Sequence, residues 1–321
     1  MKKEHERISF LDHEQSAAAI IDDSLEPYFN QLQPMEMAAK TGAFMDDLPL
    51  EQQRQKCRER YSANVLNFSA EEQIALRFFI DALQPVLLKN YPLFGKMPWS
   101  FMKTSDSIEG GLPHTRGQHI LFSESFCDYI VRTQQFPQKG MFHIKNLLVH
   151  EQMHVFQRTH PNHFDSLYED LWGFVKVDTL VGCEWLDQHR LANPDAVDCR
   201  WILPVTEGNE IKYLCPLIVF SEGNSLKKMP DDFHMLAISV VQQREGFAVE
   251  LENNGRPVYR DLNQSPEFRV LFPMSTNIYH PHEASADMFA KIVIFDHFLP
   301  EIIDKKNQQL APLRNWFKKN L

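Results

Sequence analysis

The chain has 321 residues, 43% of them hydrophobic and 24% charged, enough to bury a sizeable core in one large domain or two modest ones. Asp plus Glu number 43 against 33 for Lys plus Arg, a formal charge of -10, and no basic run interleaved with aromatics is present, which argues against nucleic acid as a partner. Five dispersed cysteines with no CxxC pair fit a reducing compartment, and no apolar run approaches the roughly 20 residues of a membrane helix or forms a signal peptide, so a cytoplasmic location with no membrane partner is expected, signal-less export remaining an alternative.

Residues 1–60 are polar and read as short helical pieces, an N-terminal extension. Ser69-Ala70-Glu71-Glu72 is a capping box that opens an apolar helix, which Pro85 is expected to kink and Asn90-Tyr91-Pro92 to end. Between Trp99 and Ser123 the texture turns strand-like: Trp99 to Lys103, a Gly110-Gly111 turn, then His119 to Phe122. Ser123 or Ser125 caps a short helix through Arg132, and Lys139-Gly140 is a turn. From His143 a longer helix is expected to run to Thr159, where Pro161 disfavours helical backbone at His160.

Phe164, Leu167, Tyr168, Leu171 and Trp172 recur at helical spacing and predict a second helix ending at Gly173. Residues 175–275 read as a β-rich insertion, with strands over Ile211 to Phe220 and Phe233 to Val241, and a hairpin of 247–251 with 258–262 through Asn254-Gly255. A helix from Pro281 to Leu299, stopped by Pro300, and a terminal helix from Pro312 complete an α+β pattern in a single domain over 1–321, mostly helical with a small mixed sheet.

The chemistry concentrates in His150-Glu151-Gln152-Met153-His154. Residues i and i+4 of a helix lie about 40° apart around its axis, so both imidazoles face one point and can share a metal ion, with Glu151 beside them as a proton acceptor for an attacking water. Imidazole suits zinc, and the apolar flanks Leu147 to Val149 and Met153 to Phe156 predict a buried helix, in which two histidines and a glutamate need partners.

This His-Glu-x-x-His run resembles the zincin metallopeptidases. Three residues compete for the third ligand. His160 would complete a metzincin-like pattern, but Gln157 stands where that branch has the glycine that turns the chain back. Glu169 lies on the following helix. Glu283, with Asp287 four residues on, resembles the gluzincin Glu-x-x-x-Asp pair; that resemblance implies zinc on His150, His154 and Glu283, a histidine oriented by Asp287, and a long insertion before the third ligand.

It also implies a peptide or protein substrate added as a strand at the edge of the sheet before the active helix, at His119 to Ser123 or its neighbour. His114 or Arg116 would stabilise an oxyanion or hold a substrate carboxylate, His119 belongs to the same substrate-binding strand, and Tyr279 is a candidate transition-state donor. A zinc peptidase is therefore expected, the alternatives being a hydrolase of non-peptide acyl bonds and a non-catalytic metal-binding effector. The Asn193-Pro194-Asp195 turn has no chemical role derivable from sequence.

Overall fold

The structure is a computed structural model that describes residues 7–45, 48–138, 140–223, 225–299 and 309–321. Lys139 of the expected turn and the expected stop at Pro300 lie outside the described residues. In chain order the elements are β1 (Ile8–Phe10), α1 (His13–Ala19), α2 (Pro34–Thr41), α3 (Leu50–Ala63), β2 (Val65–Leu66), α4 (Ala70–Asn90), β3 (Trp99–Thr104), β4 (His114–Arg116) and β5 (His119–Ser123). Then come α5 (Glu124–Gln135), α6 (Met141–Thr159), β6 (Val175–Lys176), β7 (Leu180–Val181), α7 (Glu184–His189), β8 (Trp201–Glu207), β9 (Glu210–Phe220) and β10 (Phe233–Gln243). Last are β11 (Gly246–Val249), β12 (Tyr259–Asp261), α8 (Pro266–Leu271), α9 (Pro281–Phe298) and α10 (Ala311–Asn320). Helix and strand are mixed throughout, and no described helix is long and apolar enough to cross a membrane.

The chain divides into two compact units. The first comprises 1–26, 59–161 and 286–321. Its sheet runs β1-β3-β5-β4, with β2 on β3; β3 and β5 are parallel, β4 and β5 antiparallel. The strand expected to lie at the edge, His119 to Ser123, is therefore interior, and its neighbour β4 takes that edge. β1 is a correction to the purely helical extension: Ile8-Ser9-Phe10 pairs in parallel with Trp99 to Phe101, too short a run to carry a periodic signal.

α4 begins at the expected capping box, Glu72 N–H donating to Ser69 Oγ at 3.2 Å and Ser69 N–H to Glu72 Oε2 at 2.7 Å. It continues unbroken past Pro85 to Asn90, with Leu83 and Leu87 buried on either side of the proline. Packing there outweighs the one missing backbone hydrogen bond. α6 is buried on every face from Leu148 to Gln157 and is a core helix rather than an amphipathic one. Its last turn is tied to the sheet by Arg158, which donates to Glu26 Oε2 (2.8 Å), Thr115 Oγ1 (2.7 Å) and the Gly117 carbonyl (3.0 Å). α6 and α9 are joined through Phe94, whose ring meets Phe156 (centroids 6.0 Å) and Phe289 (5.0 Å). Phe317 of α10 closes on Phe289 at 4.9 Å.

The second unit comprises 27–58 and 162–285. The expected helix after His160 is realised as a π-helical turn, Leu167–Leu171, in which Trp172 N–H reaches the Leu167 carbonyl five residues back; Gly173 ends it at φ 74°. The β-rich stretch forms a seven-stranded sheet in the order β6-β8-β9-β10-β11-β7, with β12 added on β10. The expected hairpin through Asn254-Gly255 is present only near its turn, where Leu251 bridges Pro257 and Val258 N–H reaches the Glu250 carbonyl; beyond it β11 lies along Val240 to Gln243 and β12 along Leu236 to Ile238 of β10. The sheet's side chains alternate, Cys215, Leu217 and Val219 joining one core with Leu186 of α7, and Ile218 and Phe220 joining another with Ala39 and Leu191.

Candidate metal centre

His150 and His154 project from one face of α6, 8% and 1% exposed, and their Nε2 atoms stand 3.0 Å apart. Two imidazole nitrogens approach this closely only if at least one presents its lone pair. Zinc–nitrogen bonds of about 2.0–2.1 Å at a tetrahedral angle would set two such nitrogens roughly 3.3 Å apart, so the pair is already spaced on the scale a metal requires. Glu283 is 3% exposed in the first turn of α9, and ligand atoms of His150, His154 and Glu283 all lie within 4.8 Å of one another. The division between the units falls at 285/286, inside α9, so Glu283 rides on a helix whose later turns pack within the first unit. Two neutral nitrogens and a carboxylate, buried and convergent, can hold a metal ion.

Two residues around this cluster were not legible as functional in the sequence. Gln157 Oε1 sits 2.8 Å from His154 Nδ1. An amide oxygen is only an acceptor, so Nδ1 carries the hydrogen and Nε2 presents its lone pair to the centre. The spacing of three between His154 and Gln157 was the available signal. Asn193 Nδ2 donates to Glu283 Oε1 and to the Tyr279 hydroxyl, each at 2.6 Å. Its Oδ1 accepts from Asp195 N–H at 2.9 Å, an Asx turn that aims the amide at both oxygens.

Tyr279 also hydrogen-bonds Glu283; burial first, then the charges of Glu283 and Asp195, hold its hydroxyl well above the usual phenol value, so it keeps its proton across the neutral range. Its neighbour His280 organises the start of α9: Nδ1 accepts from His282 N–H at 3.1 Å, and Nε2 lies 3.3 Å from Asp198 Oδ1. Burial raises the Asp198 carboxyl, and the His280 hydrogen bond and charge, with His282, overcome it and hold the group far below the usual carboxylate range.

Glu151 is 3% exposed on the same turn of α6 as the two histidines. Asp287 is buried one turn beyond Glu283 and its Oδ2 accepts from Lys291 Nζ at 2.8 Å. His160 ends α6 with its ring stacked on Phe156 (4.3 Å) and Nδ1 near the Phe156 carbonyl, and Glu169 is exposed; neither joins the buried cluster. His114 is buried in β4 with Nδ1 on the Leu112 carbonyl at 2.9 Å.

Arg116, also in β4, is fully buried, its guanidinium donating to the carbonyls of Ile20 and Asp22 and to Asp23 Oδ1 at 2.7 Å. It serves there as a strut for the segment after α1. His119 Nδ1 meets Ser100 Oγ at 2.7 Å, and burial lowers its pKa. Comparison with family models, with curated proteins and with solved structures returns no match to this chain.

Proposed function

We propose that this chain is a zinc-dependent peptidase of the zincin type, acting on a peptide or protein substrate. The observation that carries the reading is the convergence of His150, His154 and Glu283 with Glu151 on the intervening turn of helix. When bound there, zinc supplies Lewis acidity and lowers the pKa of a water to about 7. The chain's own residues do the rest. Glu151 accepts the proton of the attacking water and returns it to the departing amine, a transfer worth roughly a hundred- to ten-thousand-fold in rate. Gln157 fixes the His154 tautomer, while Asn193 and Tyr279 hold the Glu283 carboxylate in place. Desolvation of the cluster by the apolar shell of α6 strengthens each of these interactions.

The test uses the full chain. Metal analysis is expected to give one zinc per molecule; Glu151→Gln should retain it and lose hydrolysis of a peptide panel, and Glu283→Ala should lose the metal. Failure to bind zinc, or a Glu151→Gln variant as active as the natural chain, overturns the proposal. Chelator-sensitive cleavage of esters but not peptides would move the substrate to another acyl class.

A further inference from the structure

The second unit holds a cluster of nucleophilic side chains that the metal chemistry does not use. Arg190 follows α7, half-buried, and among the described residues its side chain hydrogen-bonds Gln31 Oε1 (2.9 Å) and Cys199 Sγ (3.2 Å), the Glu36 carboxyl acting on it through its charge rather than through a hydrogen bond. A cation partly withdrawn from water favours an anionic neighbour, and the atom offered to Nη1 is the Cys199 sulfur. Cys215, 1% exposed in β9, lies beside it, its Sγ 4.0 Å from the Cys199 carbonyl. Cys199 is half-buried in the loop before β8 and Cys215 is buried within β9, so Cys199 is the more accessible of the two.

We propose that Cys199 and Cys215 form a hydroperoxide-reactive dithiol, with Cys199 the attacked thiolate, Arg190 its fixed counter-ion and Cys215 the resolving thiol. The neighbouring Cys215 thiol first, then the Arg190 charge and hydrogen bond, outweigh burial and bring the Cys199 thiol down to about 6, while Cys215 is pushed well above its usual value. By contrast, burial drives Cys127 upward, leaving it a protonated core residue.

In the first step a Cys199 sulfur–oxygen bond forms as the peroxide oxygen–oxygen bond breaks, and the departing alkoxide or hydroxide takes a proton from solvent. The Cys215 sulfur then attacks Cys199: the sulfur–sulfur bond forms, the sulfur–oxygen bond breaks, and hydroxide leaves as water with the Cys215 proton. Two thiols lose two electrons to one hydroperoxide. Closing the bond to about 2.05 Å requires the two sulfurs to approach from an arrangement in which Cys215 Sγ stands 4.0 Å from the Cys199 carbonyl.

Peroxide titration of the full chain, followed by alkylation and peptide mapping, tests this. The expected product is one Cys199–Cys215 cross-link, reversible by dithiothreitol, formed before any change at Cys57, Cys127 or Cys183. Cys215→Ser should stop at a Cys199 sulfenic acid that dimedone captures. Arg190→Gln should slow iodoacetamide labelling of Cys199 at neutral pH by about tenfold. A second readout needs no variant: in the natural chain Cys199 labelling should reach half its plateau near the lowered value, well below that of the denatured chain. Earlier oxidation of another cysteine, no cross-link, or a Cys199 labelling profile matching the denatured chain overturns the proposal.

Discussion

Replacing Asn193 by alanine removes one donor from two oxygens at once, Glu283 Oε1 and the Tyr279 hydroxyl, each 2.6 Å away. A hydrogen bond to a charged, buried acceptor is worth about 1.5–3 kcal/mol, and loss of a residue that orients a metal ligand typically weakens metal binding by about ten- to a hundred-fold; the two ranges agree. Zinc affinity of the variant, measured by competition with a chromophoric chelator at fixed pH and salt, is expected to fall within that window. Stability of the metal-free protein should also fall, by about 1.5–3 kcal/mol for the lost hydrogen bond to Glu283 and about 1 kcal/mol for the lost Asx turn, so the affinity is read on the folded protein. Tyr279→Phe should cost less, because Asn193 still holds Glu283. The double variant should be less than additive, since one amide bridges both oxygens. An Asn193→Ala affinity within about threefold of the natural chain, in a natively folded protein, would refute the reasoning that this amide positions the ligand.

Gln157→Ala should weaken zinc binding about tenfold in the same competition assay, and an unchanged constant would show that the His154 tautomer needs no help. Burial drives the Glu36 carboxyl from 4.5 up to about 7 against the pull of Lys40 and Arg190. Because the folded value lies above the unfolded one, the folded state holds its proton longer, and stability is lost as pH rises from about 4.5 to about 7, by up to about 3 kcal/mol. Relative to the natural chain, Glu36→Gln should gain stability across that interval in denaturant melts, and a pH-independent difference would sink the idea. Tyr61→Phe removes the 2.6 Å hydrogen bond to the buried Glu109 carboxylate and should cost about 1.5–3 kcal/mol by urea denaturation; a loss under about 0.5 kcal/mol would mean that another donor replaces it.

What could be read in advance follows the range of the interactions involved. His150 and His154 were legible because a single helix fixes their relation, and the bounds of α6, α9 and α10 followed from prolines and periodicity. Glu283, 129 residues after His154, came only from a resemblance; no local rule brings α9 to α6, and the Phe156, Phe94 and Phe289 rings that do so are indistinguishable in sequence from other core aromatics. Asn193 was invisible for a different reason. Its role depends on an Asx turn and on where the chain before α9 passes. β8 escaped because Pro204 argues against a strand, yet β6 reaches only Trp201 and Ile202, so past that point β8 is paired on one side alone. Arg116 read as a cation for an oxyanion or a substrate carboxylate, whereas the carbonyls that enclose it belong to a segment nearly a hundred residues earlier.

The first unit is stitched from three separate stretches of chain, the last of them beginning at Ala286. During synthesis the two histidines emerge long before Glu283, and Phe289 of α9 packs against Phe94 and against Phe317 of α10. A ribosome-bound chain released up to α6 would hold an incomplete set of donors and no aromatic bracket for the helix that completes it. Any metal held by His150, His154 and Glu283 would therefore be bound with its full donor set only after the β-rich stretch between α6 and α9 has been made.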